Sequence, residues 1–439
     1  MKLKALVGVL AVAGLAMPGI ASATNGYFSH GYGIKAKGMG GAATATASDA
    51  MGGANNPASM AFVGDRLDVG IDWFSPKREA SRSGSTFGGP TSADFSENSS
   101  SNDFLIPELG YNMMLGEKMS LGITVYGNGG MNTDYKSGTS IPAGNCGAAA
   151  ANPLCGNGKL GVNLEQLIVA PTFAYKINAN HAIGVSPLYV YQRFSADGLQ
   201  AFSPLSSAPG NLTNTGHDSS TGWGVRLGWQ GKVTDTVTLG ATYSPKVNMS
   251  KFNRYSGLFA EQGDFDIPMN WNLGVAFKAT PALTVALDYQ HIEYSGVKAI
   301  ANSGLTGAAT FAAAFPGNAA QLGASNGLGF GWSNVDVVKL GVEFKYNDAL
   351  TLRAGINHGD NPIQSGEQTF NIIAPGVVTD HYTLGASYAV AKNSEVTVAY
   401  MHAQEKSVSG ATSGYFQAGG TETIKMYQNS LGIAYGMKF

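Results

Sequence analysis

The feature that most restricts the fold of this chain is a repeated pairing of alternating segments across short turns. Between 223 and 230, for example, large apolar residues alternate with small or polar ones, and a second such run follows the turn at 234–235. A period of two residues is that of a β-strand with one apolar face. Short turns with alternating runs on both sides lie at 116–118, 178–180, 234–235, 280–281, 347–348 and 392–393. These hairpins predict twelve strands.

Two further alternating runs, at 67–73 and 427–439, raise the predicted number of strands to fourteen. The other connections are much longer, and they cover 81–102, 132–160, 195–220, 251–265, 295–334, 357–377 and 403–425. An even strand number, with short turns at one end and long loops at the other, is typical of an outer-membrane barrel and not of a β-sandwich. We therefore predict an all-β fold, a 14-stranded antiparallel transmembrane β-barrel over residues 66–439.

The first residues predict export. Lys2 and Lys4 precede an apolar run at 5–16, and the small residues at 21–23 match a signal-peptidase site. A membrane anchor is the alternative, but Pro18 and Gly19 make the apolar run too short to span a bilayer. We predict a signal peptide at 1–23 and, with the barrel, a place in the outer membrane of a Gram-negative cell.

The segment at 24–65 does not alternate, and it is rich in glycine and alanine. A barrel of fourteen strands has space in its lumen that wall side chains alone do not fill. We therefore expect this segment to be a plug inside the barrel, while a disordered periplasmic leader is the alternative. The expected gating residues of the plug are Gly38, Gly40, Gly41, Asn55, Asn56, Pro57 and Ala58.

Composition and motifs exclude several other functions. Only 13% of the residues are charged and the net charge is −2, so the chain has no basic field for nucleic acid. The seven histidines are scattered without an HExxH motif, and no GxSxG motif is present. A triad with Asp380, His381 and His402 is disfavoured because His381 is off the register of its neighbours. We expect no enzymatic activity, no metal and no cofactor.

Several fragments together resemble the FadL family of outer-membrane transporters for long-chain fatty acids and other hydrophobic compounds. They are the Gly-rich segment with its NPA element at 56–58, IPELGYN at 106–112, LGITVYGNGGMNTDY at 121–135, VAPTFAYKIN at 169–178, GWGVRLGWQGKV at 222–233, LTLRAGINHGDNPI at 350–363 and the closing LGIAYGMKF. The resemblance implies that a hydrophobic ligand binds above the plug and leaves sideways, through an opening made by an inward kink of a strand near the NPA element.

The resemblance implies uptake of hydrophobic molecules, with long-chain fatty acids as the first expectation. A carrier of neutral aromatic hydrocarbons and a general porin are the alternatives. The apolar loops at 295–334 and 199–212 form either a landing surface for the ligand or a closed lid. We expect contact with outer-membrane lipid and lipopolysaccharide, insertion by the barrel assembly machinery, and a monomer.

Alternation assigns side chains to the lumen. The charged residues expected there are Asp68, Asp72, Glu108, Lys176, Arg226, Lys278, Asp288, Glu343, Lys345, Arg353 and Glu395. Both signs occur, so we expect most of them to pair across the interior. The candidate ligand-binding residues are Arg226, Arg353 and, behind them, Arg193 for a carboxylate, with Met39, Phe311 and Phe315 for an apolar chain. Cys146 and Cys155 are expected to form a disulfide within one long loop.

Overall fold

The computed structural model describes residues 24–86, 92–304, 320–413 and 419–439. The predicted signal peptide, and Phe311 and Phe315, lie outside the described residues. Fourteen antiparallel strands close a barrel. They are β1 Arg66–Ser83, β2 Phe104–Leu115, β3 Met119–Asn132, β4 Gly161–Lys176, β5 His181–Asp197, β6 Asp218–Lys232, β7 Val237–Ser244, β8 Asn270–Thr280, β9 Leu283–Ile292, β10 Val335–Lys345, β11 Leu350–Gly359, β12 Asp380–Ala391, β13 Ser394–Ala411 and β14 Thr421–Lys438.

The first and last strands close the barrel. Strand β1 pairs with β14 from Arg66 opposite Lys438 to Ser83 opposite Thr421. Two short strands extend the wall at its upper edge: Phe95–Asn98 pairs with β1, and Asn248–Met249 pairs with β6. Every predicted hairpin turn joins two neighbouring strands, and the predicted fold class is confirmed. We call the end with the short turns the turn end, and the opposite end the loop end.

The outward face of the barrel carries a belt of exposed apolar side chains. On β1, Val69, Ile71 and Trp73 are 45%, 40% and 43% exposed, whereas Asp68 and Asp72 on the other face of the strand are buried. Such a face suits lipid, since a closed barrel leaves no open sheet edge in the hydrocarbon. Among the described residues, no helix is long and apolar enough to cross a membrane.

The segment at 24–65, which we call the plug, lies inside the barrel. Residues 24–45 are all buried, and those at 46–65 are buried or half-buried. The plug contains helix α1 at Ile34–Gly38, helix α2 at Gly52–Asn55, a 3-10 turn at Pro57–Ser59 and helix α3 at Met60–Val63. These helices are short because the segment is rich in glycine, which favours turns over helix.

The plug is held by charged groups of the wall. Lys35 Nζ lies 2.5 Å from Glu395 Oε1 and Lys37 Nζ lies 2.5 Å from Asp72 Oδ2. Carboxylates of the wall also accept backbone amides of the plug: Asp288 accepts those of residues 43 and 44, Glu108 those of 33 and 34, and Asp68 that of residue 50. The wall therefore supplies the hydrogen-bond acceptors that this short, irregular segment lacks within itself.

The long loops pack together at the loop end. They contain short helices and turns at Gln200–Leu205, Pro209–Asn211, Asn253–Tyr255, Ala260–Gly263, Tyr294–Gly296, Lys298–Ala301 and Gln368–Asn371. Leu199, Phe202 and Ile300 are at most 1% exposed, and Ser206 pairs with Leu322 of another loop. The described residues of these loops therefore pack against one another, and we call this packed region the lid.

Candidate ligand pathway

The wall has a break in strand pairing between β2 and β3. The two strands pair from Leu115 opposite Met119 only as far as Leu109 opposite Val125, although both continue towards the loop end. On its other side, β2 keeps pairing with β1 up to Phe104. Pro107 lies in the part of β2 that has lost its pairing with β3, where a residue without an N–H donor is tolerated. This break is the candidate lateral opening.

The upper half of β3 turns inward. Residues 127–132 are all buried instead of alternating between exposed and buried, as the lower half does. Asn128 is an extra residue relative to β4, because Gly127 lies opposite Leu167 and Gly129 opposite Gln166. Such a bulge bends a strand and increases its twist. Strand β3 is therefore the candidate for the kinked strand that the family resemblance implies.

The inward part of β3 contacts the start of the plug. Ser29 N donates to Asn128 O and Gly130 N donates to Tyr27 O, both at 3.2 Å. At Gly129 the backbones are so close that a Cβ would lie 1.8 Å from Tyr27 O. Only glycine fits at this position without displacing the plug.

A chain of hydrogen bonds links the bulge to the Asn55 end of the plug. The Tyr32 hydroxyl lies 2.9 Å from Asn128 Oδ1, and Asn55 Nδ2 donates to Tyr32 O at 2.7 Å. A movement of Asn55 would therefore change the contacts of the β3 bulge through Tyr32.

The NPA element itself packs elsewhere. Asn56 Nδ2 donates to Thr44 O at 2.7 Å and Trp229 O at 2.9 Å, and its side chain also accepts from the amide of Ala58. The turn is pressed against glycines of β5 and β6, since a Cβ at residue 184 would lie 2.4 Å from the carbonyl carbon of Pro57. The candidate gating residues at 56–58 thus anchor the plug to the wall beside β5 and β6. Among the candidate gating residues at 55–58, Asn55 is the one linked to the bulge, by way of Tyr32.

Two of the three candidate gating glycines contact the opposite wall, and the third lies in a tight turn within the plug. Gly38 lies against Gly385 of β12 and Gly40 against Ile356 of β11. Gly41 has φ 84, and a Cβ there would lie 1.8 Å from His30 O, so no other residue fits this turn.

Two of the three candidate arginines are paired with carboxylates. Arg353 Nη2 lies 2.7 Å from Glu343 Oε2, and Arg193 Nε lies 2.9 Å from Glu165 Oε2. Both partners stand directly opposite in the strand register. The short turn at 347–348 fixes the register of β10 and β11. The pairing of Glu343 with Arg353 could therefore have been predicted from the sequence.

The third candidate, Arg226, joins the wall to the plug. It donates to Ser244 Oγ at 2.9 Å and to the hydroxyl of Tyr126 at 3.2 Å, and it also donates to the carbonyl of Ala54. Met39 is buried where the plug meets Gly341 of β10. Both residues therefore lie at the level of the plug and below the apolar part of the lumen.

Aromatic rings fill the lumen between plug and lid. Tyr27 and Tyr294 have ring centroids 5.4 Å apart, Tyr294 and Trp332 5.3 Å, and Phe330 and Phe370 5.1 Å. A small cavity of about 20 Å³ lies beside this cluster. Its lining consists of Gly26, Arg78, Met131, Asn132, Trp332, Ala374, Pro375, Gly376 and Met426. Since two of these residues belong to the inward part of β3, the cavity lies next to the break.

A second, larger cavity opens on the other side of the plug, at the turn end. Its volume is about 350 Å³, and its lining includes Lys35, Asp49, Lys232, Lys278 and Glu343. This cavity is charged, in contrast to the apolar one above the plug.

The remaining candidate residues form no catalytic or metal centre among those described. Cys146 and Cys155 are joined as a disulfide. His381 is buried and lies 3.3 Å from the carbonyl of Asn357, which is not the environment of a general base beside a nucleophile. No group of three or more His, Cys, Asp or Glu side chains in the described ranges is arranged to hold a metal ion.

A plugged fourteen-stranded barrel with an apolar belt, a kinked wall strand and an apolar lumen defines the class of outer-membrane transporters for hydrophobic compounds. A family model, Outer membrane protein transport protein (OMPP1/FadL/TodX), matches residues 21–439. The chain belongs to this family, which is one of transporters and channels and not of enzymes. The predicted family and outer-membrane location are both confirmed.

Solved structures agree with the fold. The toluene transporter TodX of P. putida is 19% identical with a TM-score of 0.67, covering 93% of this chain and 99% of its own. A Pseudomonas aeruginosa FadL homologue is 15% identical with a TM-score of 0.68, covering 94% and 100%. The Ralstonia pickettii toluene transporter TbuX is 19% identical with a TM-score of 0.63, covering 93% and 99%. No curated protein sequence matches the chain.

Proposed function

We propose that this protein takes up long-chain fatty acids and similar hydrophobic molecules, which bind in the apolar lumen above the plug and leave sideways between β2 and β3. The observation that carries the proposal is the loss of pairing above Leu109 and Val125, beside an apolar cavity. The route needs no energy source, because the ligand moves from one apolar environment to another.

The two cavities favour the sideways route over an axial one. A molecule that crossed the plug would enter the charged cavity at the turn end, between groups such as Lys232 and Glu343. Exposure of an alkyl chain to water costs about 0.8 kcal/mol for each CH₂ group. An exit through the wall delivers the chain directly into the hydrocarbon of the membrane and avoids this cost.

The plug is the proposed gate. Its residues 27–29 hold the bulge of β3 through backbone hydrogen bonds, and Tyr32 connects the bulge to Asn55. A ligand that displaces Tyr27 would release the upper half of β3 and widen the break.

The lateral route can be tested by cross-linking the break. In a Cys146→Ser, Cys155→Ser background, Pro107→Cys with Gly127→Cys places one thiol on each side of the break. The matched control, Leu109→Cys with Val125→Cys, lies at the last paired position of the same two strands. A cleavable bifunctional thiol reagent should stop uptake of a labelled long-chain fatty acid in the first variant only, and cleavage of the linker should restore it. Undiminished uptake with the break cross-linked would show that the ligand leaves elsewhere.

Neutral aromatic hydrocarbons are the second candidate substrates. The rings of Tyr27, Tyr294 and Trp332 offer apolar faces without charge, and Arg193 and Arg353 are already paired. Equilibrium binding of a labelled fatty acid to the purified barrel, with toluene as competitor, separates the two. Steady ion conductance in a planar bilayer without saturable binding of either would instead support a general porin.

A further inference from the structure

Two arginines on the same inward face of β1 differ in their partners. Arg78 and Arg82 are 5% and 2% exposed, and each guanidinium lies near an aromatic ring, 6.0 Å from Phe104 and 5.1 Å from Phe95. Arg82 is ion-paired with Glu422 at 2.5 Å. Among the described residues, Arg78 belongs to no ion pair, and its Nε has no hydrogen-bond partner.

Within the described part of the chain, most of the donors of Arg78 have no protein acceptor. The described hydrogen bond of its guanidinium goes from Nη2 to the carbonyl of Ser101. A guanidinium presents five N–H donors in a planar fork that suits a carboxylate. A buried cation without a counter-charge is costly, whereas the same cation beside a bound anion is not.

Arg78 also lines the apolar cavity beside the break. Met131 and Asn132 of the inward part of β3 line the same cavity, and so does Trp332. The ring of Phe104, at the upper end of β2 where pairing with β3 is lost, lies 6.0 Å from the guanidinium. A molecule with its charged end at Arg78 would therefore have apolar side chains beside it in the direction of the break.

We propose that Arg78 binds the carboxylate of a single-chain amphiphile, whose alkyl chain extends past Met131 and Phe104 towards the opening between β2 and β3. This inference rests on the proposed uptake function, and it names the residue that distinguishes a fatty acid from a neutral hydrophobe. Arg226, which the sequence suggests for this role, is engaged by Ser244, Tyr126 and the plug.

The test compares dodecanoate with dodecan-1-ol in equilibrium binding to the purified, folded full-length barrel. Arg78→Met should weaken dodecanoate binding by about 10- to 100-fold, the range expected for losing charge-assisted hydrogen bonds. Binding of the alcohol should change by less than about threefold, because its hydroxyl does not need a cation. Arg78→Lys should recover part of the loss for dodecanoate, since it keeps the charge without the planar fork.

The controls separate the possible failures. Arg254→Met, at an exposed arginine in the lid, should leave the binding of both ligands as in wild type. If wild type binds both ligands and Arg78→Met keeps the same ratio of affinities, the assignment of Arg78 is wrong while the uptake function stands. A loss confined to Arg226→Met would transfer the role to that residue. If wild type binds neither ligand saturably, the uptake function itself fails. Should Arg78→Met not fold, the ratio of dodecanoate to dodecan-1-ol affinity is measured with Arg78→Lys and Arg78→Gln instead. An unchanged ratio in Arg78→Gln would then show that the assignment of Arg78 is wrong.

Discussion

The lumen has two halves that are built on different interactions. At the level of the plug, ion pairs such as Lys35 with Glu395 and Lys37 with Asp72, and carboxylates that accept plug amides, define the contacts. Between plug and lid, aromatic and aliphatic side chains around Trp332 and Phe330 fill the space. Ion pairs and hydrogen bonds depend strongly on distance and direction, whereas apolar packing tolerates rearrangement.

The contrast matches the separate tasks that the proposed function gives to the two halves. A plug that must keep the barrel closed needs contacts with one defined geometry. A binding region that must accept a hydrophobic molecule and let it pass needs side chains that can move aside. The break between β2 and β3 lies where the two halves meet, so that movement in the apolar half reaches the bulge held by residues 27–29 of the plug.

The largest effect is expected from Lys37→Met. The side chains of Lys37 and Asp72 are 7% and 3% exposed, and the substitution leaves Asp72 buried without its cation. Loss of one partner of a buried pair costs about 3 to 5 kcal/mol. Denaturant unfolding in lipid vesicles should show this loss, and bilayer recordings should show raised ion conductance as the plug loosens.

A second substitution checks the cause of that effect. Lys37→Met combined with Asp72→Asn removes both charges, keeps a hydrogen-bond acceptor for Ser430, and should recover most of the stability. Lys345→Met, in an exposed pair with Asp348 at the turn end, should cost at most about 1 kcal/mol. If Lys37→Met were as stable as wild type, the plug would not depend on this ion pair.

A smaller effect is expected from Phe330→Leu in the apolar half. Phe330 is buried against Trp332 and Phe370, and the change keeps an apolar side chain of similar size. Such substitutions cost about 1 to 1.5 kcal/mol because neighbouring side chains adjust. The same unfolding measurement applies, with fatty-acid binding as a second readout. A cost equal to that of Lys37→Met would mean that the two halves do not differ in tolerance.

The smallest effect concerns pH and the lid. Burial, and then the nearby Asp266, raises the pKa of Asp264 from 3.8 to about 7. Because the pKa in the folded protein lies above its ordinary value, the contribution of Asp264 to lid stability is full below about pH 4 and is lost as pH rises through about 7. Amide hydrogen exchange over 251–265, corrected for intrinsic rates, should be faster at about pH 8 than at about pH 6. Asp264→Asn should remove the difference, and an unchanged difference in that variant would assign it to another group.

The strand pattern could be predicted because a membrane wall imposes it residue by residue. Each short turn predicted from the sequence lies between two neighbouring strands, as at 347–348 between Lys345 and Leu350. The ends towards the lid were less predictable. Strand β1 continues to Ser83, ten residues beyond Trp73, because above the lipid its outward side chains, such as Lys77 and Glu79, no longer need to be apolar.

The candidate site was less predictable than the wall. Alternation places Arg226 and Arg353 in the lumen, but it does not say which carboxylate, hydroxyl or carbonyl occupies their donors. Arg78 carries the same inward signal as Arg82 and is distinguished only by the absence of an ion-pair partner among the described residues. That difference depends on neighbouring strands and loops, and no pattern within β1 contains it.

By itself, the sequence determined the number of strands, the face that each side chain occupies and the outer-membrane location, because lipid on one side of a closed sheet imposes a period of two on every strand. Only the tertiary structure decided where the pairing of the wall strands breaks. The break depends on contacts between Tyr27 and Gly129 and between Tyr32 and Asn128, which are about a hundred positions apart in the chain. Contacts at such separations arise from the packing of the plug against one particular strand, and no local pattern of residues records them.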